Sequence, residues 1–140
     1  MGALLAVGAG TAQAASSDSA VHTPAGNASH SSGGDAGVLA GCNPDHARPH
    51  VDRSGHHIRG YGGFFGCTGY PYATMQLQRH RWYGWETLRS YSGTFIPGNY
   101  YWLFYDCSNT GTHTFRTLMS GRTVGGQYWS RQSSHYRTTC

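Results

Sequence analysis

Lysine is missing from this sequence, so its ten basic residues are all arginine, and only six residues are acidic. The formal net charge is +4 with histidine counted as neutral, and nine histidines add positive charge in mildly acidic surroundings. A basic surface of this kind favours anionic partners such as acidic proteins or cell-wall polymers. Charge alone assigns no function, because a merely soluble surface can have the same balance.

Long hydrophobic runs are missing as well. No segment has the roughly 20 consecutive apolar residues that a membrane-spanning helix needs. No segment repeats its apolar residues with the period of an amphipathic helix. We therefore expect no membrane span and no helical bundle, and an all-β fold is the natural class.

The motifs of several common hydrolases are also not found. The sequence has no Gly-x-Ser-x-Gly segment for a serine hydrolase and no His-Glu-x-x-His segment for a zinc peptidase. Glu86 is the single glutamate, so the carboxylate pair of a glycoside hydrolase would need Asp52 or Asp106 as its second member. We expect a protein without catalytic residues, and we predict no cofactor.

The N-terminal residues have the pattern of an export leader. Residues 3–7 form a short apolar core, and Ala12-Gln13-Ala14 is a small-x-small cleavage site. No arginine precedes the apolar core, which indicates that the true start lies upstream. We predict a signal-peptide remnant at residues 1–14, a disordered Ser/Gly/Ala-rich spacer at 15–41, and one secreted, extracellular domain at 42–140.

Four cysteines lie in the predicted domain, namely Cys42, Cys67, Cys107 and Cys140. An even number of cysteines in a small exported protein is usually paired, because no thiol system outside the cytosol reduces them. Among the three pairings that four cysteines allow, we predict Cys42–Cys67 and Cys107–Cys140. The first would tie down a Gly-, His- and Arg-rich loop at residues 42–66, and the second would fix the C-terminus.

The sequence becomes aromatic and alternating from Tyr70 onward, with turn residues at short intervals. The run 100–105 is apolar or aromatic at every position, which predicts a central strand buried on both faces. We expect a small antiparallel β-sandwich or barrel held by two disulfides. Further strands are predicted at 73–82, 86–91, 112–119, 127–129 and 135–140, with turns at 96–99 and 109–111 and a two-residue hairpin loop at 125–126.

Histidines and aspartates cluster between residues 45 and 57. Imidazole and carboxylate groups are zinc and copper ligands. Their spacing matches no known ligand motif, and oxidised cysteines would offer no thiolate. We interpret the segment as a solvated polar loop and predict no metal; its members are Asp45, His46, His50, Asp52, His56 and His57.

The densest stretch of candidate binding residues is Arg79-His80-Arg81-Trp82-Tyr83-Gly84-Trp85-Glu86. Interleaved arginine and aromatic side chains can stack on a sugar ring and hydrogen-bond its anionic groups, or bind single-stranded nucleic acid. We favour an extracellular protein or an anionic glycan or cell-wall polymer over nucleic acid. The two tryptophans could instead fill the core of a domain short of aliphatic residues, and we favour that interpretation for them. The candidate binding residues are Arg79, Arg81, Trp82, Tyr83, Trp85 and Arg116.

The alternative function is a small secreted hydrolase of the ribonuclease type. Glu86, His113 or His135, and Arg116 are the residue types that such an enzyme uses as base, acid and phosphate clamp. The His-Glu-Tyr and Arg-Arg-Ile-Ile segments of guanyl-specific ribonucleases are not found. The enzyme hypothesis therefore depends on residue types without their spacing.

Residues 77–86 and 107–117 resemble a group of small secreted actinomycete (Streptomyces-like) proteins of unknown function. Those proteins carry a Cys-x-x-x-Gly-Thr-x-x-[Tyr/Phe]-Arg segment after an aromatic strand, which here begins at Cys107 and ends at Arg116. The resemblance covers roughly the last half of the chain. It implies an exported, disulfide-bonded β domain, with no catalytic residues to transfer. It also implies a role as a binding or adaptor domain, such as an accessory subunit of an extracellular antibacterial assembly.

Overall fold

The computed structural model describes residues 39–140. The predicted signal-peptide remnant and the spacer up to residue 38 lie outside the described residues. Leu39 is fully buried, and its amide donates a hydrogen bond to the carbonyl oxygen of Arg122 at 3.0 Å. Packing against the domain is therefore already present within the range predicted as spacer.

Within residues 39–140 the regular structure is antiparallel β-sheet plus one short 3-10 helix, Pro44–His46. No helix in this part of the chain is long and apolar enough to cross a membrane. One sheet has the strand order β1-β2-β5, and the other has the order β4-β3-β6-β7 with β8 also beside β6. The predicted all-β sandwich is confirmed, with strands β1 (His50–Ser54), β2 (His57–Gly62), β3 (Tyr72–Arg81), β4 (Gly84–Thr94), β5 (Tyr101–Asp106), β6 (Thr112–Arg122), β7 (Tyr128–Gln132) and β8 (Tyr136–Thr139).

The core lies between the two sheets and is built mainly from alternate side chains of β3 and β6. Met75 and Leu77 of β3 face it beside Phe115 and Met119 of β6, and all four are fully buried. The three-stranded sheet contributes Leu103, among others. Burying these side chains supplies the hydrophobic driving force for joining the sheets.

Two glycines on the inner side of β2 let the sheets approach closely. A Cβ atom at Gly60 would lie 2.7 Å from the hydroxyl oxygen of Thr117, and one at Gly62 would lie 2.7 Å from the sulfur of Met119. Any larger residue at these two positions would push the sheets apart, which is the usual meaning of a glycine inside a packed strand.

Both predicted disulfides are confirmed, at Cys42–Cys67 and Cys107–Cys140. The first joins the chain before the 3-10 helix to the segment that leads into β3. The second joins the end of β5 to the C-terminal residue after β8, so it links the two sheets covalently.

The prediction that residues 42–66 form a loop is wrong, because this segment contains the β1–β2 hairpin. The sequence pattern did not indicate these strands, because glycine, not an apolar residue, occupies two inward positions of β2. The outward positions carry polar and aromatic side chains. A hydrophobic pattern of period two is therefore missing from a segment that is nonetheless a regular hairpin.

The prediction of a doubly buried central strand at 100–105 is also wrong. β5 is an edge strand that pairs with β2, and of its six residues only Leu103 is buried. The outward-facing rings are packed against one another instead of under another layer of structure. A short aromatic run cannot by itself distinguish these two arrangements.

The remaining strand predictions agree with the observed strands. The hairpin at 73–91 is confirmed as β3 and β4, and the strands at 112–119, 127–129 and 135–140 correspond to β6, β7 and β8. The β6–β7 loop is longer than the predicted two residues. It is closed by a hydrogen bond of 2.8 Å from the Thr123 amide to the Gln127 carbonyl oxygen.

Removing the Cys107–Cys140 disulfide by the double substitution C107A/C140A should lower the free energy of unfolding by about 3–4 kcal/mol, because the bond closes a loop with a sequence separation of 33. Urea unfolding followed by tryptophan fluorescence measures this loss. C42A/C67A, with a separation of 25, is the matched comparison and should cost a similar amount. A loss below about 1 kcal/mol for both pairs would show that the fold does not need its crosslinks.

Thr117→Val should stabilise the domain by about 1 kcal/mol, because the buried Thr117 hydroxyl has no hydrogen-bond partner within residues 39–140. The Thr117 amide keeps its hydrogen bond to the Ser133 hydroxyl in this variant. Thr112→Val is the control, since the exposed Thr112 hydroxyl contacts that of Thr139. A clear loss of stability in Thr117→Val would contradict this expectation.

Candidate functional site

The turn of the β3–β4 hairpin presents two aromatic side chains to solvent. Trp82 is 92% exposed and Tyr83 is 58% exposed, with ring centroids 5.2 Å apart and planes at 89°. Gly84 follows with a positive φ of 122°, a conformation that glycine adopts without strain. The interpretation of Trp82 as a core residue is wrong, because a side chain at a projecting turn has no second sheet to pack against. We call Trp82 and Tyr83 the hairpin tip.

Two arginines share one carboxylate on the inner side of the sheet next to the hairpin tip. The Arg79 guanidinium donates from Nη2 to Glu86 Oε2 at 2.9 Å, and Arg81 Nε lies 3.8 Å from the same oxygen. Arg79 Nη1 also donates to the Tyr105 hydroxyl, which belongs to the other sheet, at 3.3 Å. These contacts close the end of the sandwich with a polar network in place of apolar side chains.

The network also acts on the pKa of Arg79. Its side chain is only 11% exposed, and burial by itself disfavours the charged form. The interactions with Glu86 and Tyr105 together outweigh burial, and the pKa of the Arg79 guanidinium is raised above its usual value. Arg89 adds a third guanidinium, 5.6 Å from the ring of Tyr105. This end of the sandwich therefore carries more positive than negative charge.

The outer side of the same sheet carries a stacked arginine. The guanidinium carbon of Arg116 lies 4.1 Å from the ring centroid of Trp85, a cation–π contact. Arg116 Nε donates to the side-chain oxygen of Gln78 at 2.8 Å, and Nη1 donates to that of Gln132. Burial lowers the pKa of Arg116, which has no salt bridge to an acidic residue in the part of the chain that the structure describes. The rings of His80 and His135 each lie 5.0 Å from Trp85.

The six candidate binding residues thus collect at one end of the five-stranded sheet, but they do not line a single pocket. Arg79 and Arg81 lie on its inner side and the hairpin tip projects beyond it. Trp85 and Arg116 lie on its outer side, because neighbouring residues of a strand point to opposite faces. The interpretation of Trp85 as a core residue is therefore wrong as well.

The same alternation separates the residues of the alternative hydrolase. Glu86 contacts Arg79 on the inner side, and His113 is on that side too, two residues before the buried Phe115. Arg116 and His135 are near Trp85 on the outer side. Glu86 and Arg116 therefore cannot contact the same phosphate as base and clamp.

His46, His50 and both aspartates of the 45–57 segment have structural contacts. His46 Nδ1 accepts a hydrogen bond from the Asn43 amide at 3.0 Å, and Asp52 pairs with Arg59 through two hydrogen bonds of 2.6 and 2.7 Å. His50 stacks on Tyr61 with ring centroids 5.1 Å apart. In residues 39–140, no three His, Cys, Asp or Glu side chains come together where they could hold a metal ion.

A second surface was missed by the sequence analysis. On the outer face of the three-stranded sheet, Tyr61 stacks on Trp102 with centroids 4.4 Å apart, and Trp102 lies 6.3 Å from Phe104 in nearly parallel planes. His50, Tyr61, Trp102 and Phe104 are called the aromatic ladder below. The pattern that could have revealed it is the pair of aromatic residues at alternate positions of the 100–105 run, which a one-sided strand would expose together.

Comparisons with protein-family models, curated proteins and solved structures find no significant match to this chain. The resemblance of residues 77–86 and 107–117 to small secreted actinomycete proteins stays a prediction. Function is therefore inferred from the geometry and charge of the surfaces described above.

Replacing Glu86 with glutamine should lower the free energy of unfolding by about 1–2 kcal/mol, because Arg79 would remain largely buried without its counter-charge. Asp52→Asn is the matched control: it removes the carboxylate of another cross-strand arginine pair whose side chains are 31% and 34% exposed. That loss should be smaller, about 0.5 kcal/mol. Urea unfolding measures both losses. Equal losses would show that the burial of Arg79 does not increase the contribution of its Glu86 ion pair to the free energy of unfolding.

Proposed function

We propose that this domain is a secreted, non-enzymatic binding module whose hairpin tip and neighbouring arginines bind an anionic extracellular polysaccharide or cell-wall polymer. The observation that carries this proposal is the nearly complete exposure of Trp82, which directly follows Arg81 and projects beyond the network of Arg79 and Glu86.

An exposed tryptophan at a tight turn calls for a functional explanation. Turns are usually built from Gly, Pro, Asn, Asp and Ser, and large aromatic side chains are usually buried in part. Trp82 and Tyr83 instead sit at the turn and leave most of their surface in water. Tryptophan, tyrosine and arginine are also the residues that contribute most to binding energy when a partner covers them. The hairpin tip therefore has the composition of a binding anchor.

The charge next to the hairpin tip favours an anionic partner. Arg79 and Arg81 share a single acid, Glu86, while Arg89 lies over the ring of Tyr105 and Arg116 adds a further positive charge on the outer side. Arginine presents a planar fork that matches carboxylate and phosphate groups. A ring of uronic acid or a sugar phosphate could contact the tip rings with its apolar face and these guanidinium groups with its anionic group.

The proposed location outside the cell has separate support. The two disulfides suit an oxidising compartment, and a cleavage pattern precedes the domain in the sequence. The role of an accessory or adaptor subunit in an extracellular antibacterial assembly fits a binding module of this kind and stays part of the proposal. The ribonuclease-like alternative is less well supported, because Glu86 and Arg116 lie on opposite faces.

The test is binding of the purified domain to alginate, a soluble polyuronate, measured by isothermal titration calorimetry, with neutral dextran as the uncharged comparison. We expect binding to alginate that weakens as salt is added, because the contacts are ionic and exposed. Trp82→Ala and Arg81→Gln should each weaken binding at least about tenfold. Arg122→Gln, at the other end of β6, is the control and should leave it unchanged.

Equal binding to alginate and dextran would contradict the proposed chemistry, and unchanged binding in Trp82→Ala would contradict the proposed site. Incubation with single-stranded RNA tests the alternative. Cleavage that is lost in Glu86→Ala would replace the binding module with a hydrolase.

A further inference from the structure

The edges of the two sheets are protected unequally. Exposed sheet edges attract other strands, and proteins usually block them with charged residues, proline or bulges. Four edge strands of this domain have such charges within them. β5, which pairs only with β2, has no charged residue before its last position, Asp106. The protecting charges are Asp52 and Arg53 on β1, Glu86 and Arg89 on β4, Arg131 on β7 and Arg137 on β8.

The backbone of β5 offers free hydrogen-bonding groups along its open side. The Cys107 amide donates to the His56 carbonyl oxygen at 2.8 Å. Continuing the pairing of β5 with β2 from these two residues places Leu103 opposite Gly60. Because the bonding direction alternates along an antiparallel strand, residues 101, 103 and 105 point their amides and carbonyls toward β2. The backbone groups of Trp102 and Phe104 therefore point away from β2, toward the open edge.

The aromatic ladder ends at the same edge. His50, Tyr61 and Trp102 lie opposite one another on three neighbouring strands, and their rings are stacked. Trp102 is the last of these rings because β5 has no strand on its other side. Phe104, two residues along, is 49% exposed. A strand added beside β5 would lengthen the stack and cover both side chains.

We propose that β5 is a docking edge for a second copy of this chain, with the two β5 strands paired antiparallel across a two-fold axis. Leu103 would lie on the axis, so Trp102 of each copy would face Phe104 of the other. Each strand would supply the two residues whose amides and carbonyls are free, and the contact would be the same on both sides, as two-fold symmetry requires. The two three-stranded sheets would become one continuous sheet with the ladder extending across it.

A second copy is favoured over an unrelated strand because β5 is itself the complement that this edge needs. It is apolar, carries aromatic rings at the outward positions, and has matching free donors and acceptors at Trp102 and Phe104. The surface is separate from the hairpin tip, which lies at the end of the other sheet. The inference therefore does not depend on the proposed polysaccharide binding.

Sedimentation equilibrium of the disulfide-bonded protein over about two orders of magnitude in concentration tests this proposal. The mass should rise from one to two chains. Phe104→Lys, which places a charge opposite Trp102, should raise the dissociation constant at least tenfold. Tyr128→Lys, at an exposed aromatic position on the β7 edge, is the matched control and should dimerise like the unmodified protein. Circular dichroism confirms that each variant is folded.

Amide hydrogen exchange followed by NMR locates the contact without any substitution. The amides of Trp102 and Phe104 should become protected as concentration rises, whereas those of Leu103 and Tyr105 should be protected at every concentration. A protein that stays monomeric throughout would overturn the proposal. So would a folded Phe104→Lys variant that dimerises normally, or a dimer that leaves the Trp102 and Phe104 amides exchanging freely.

Discussion

The close approach of the two sheets at Gly60 and Gly62 is the constraint on which the rest of this domain depends. With no side chain on the inner side of β2 at these positions, Thr117 and Met119 of the opposite sheet come almost against its backbone. The space between the sheets is thin there. Phe64 and Phe95 pack against each other just after the ends of β2 and β4, and the rings of the aromatic ladder and the hairpin tip lie outside the sandwich.

The shortage of acidic residues decides how the arginines are held. Ten arginines face only six acids, so many guanidinium groups must find neutral partners. Arg116 stacks on Trp85 and bonds two glutamine side chains, and Arg59 lies 5.4 Å from the ring of Trp102 while it pairs with Asp52. Arg59 is neutralised by Asp52, whereas the stacking of Arg116 on Trp85 positions its charge without an acidic partner within residues 39–140, so this charge stays ordered and uncompensated.

The parts of the fold that follow from local patterns could be predicted from the sequence. Turn residues and alternation predicted the β3–β4 hairpin and the strands after it. The even number of cysteines predicted two disulfides, and the pairing chosen among the three possible ones is confirmed. The β1–β2 hairpin could not be recognised, because a glycine that lets two sheets touch has the same sequence appearance as a glycine in a loop. The position of β5 at an edge depends on its neighbours in space, which a single segment does not encode.

The candidate site, too, was predictable where it depends on local sequence and not where it depends on neighbours in space. The segment 79–86 was identified by its composition, and its arginines do meet at Glu86. Its division between two faces follows from strand alternation and was predictable once a strand was assigned there. The exposure of Trp82 was not predictable from aromatic content, because the choice between core and surface depends on where the turn falls. A shift of the turn by one residue would exchange the inner and outer sides of every following position.

The hairpin tip and the β5 edge are separate surfaces, so one domain can bind a polymer and a second copy of itself at the same time. If two copies join at β5, each assembly carries two hairpin tips, and the second tip binds a long polymer from a high effective concentration once the first is bound. Weak individual contacts, such as those of exposed arginines with anionic groups, then become sufficient for stable attachment. This consequence gives the unprotected edge a physical benefit that offsets its risk of aggregation.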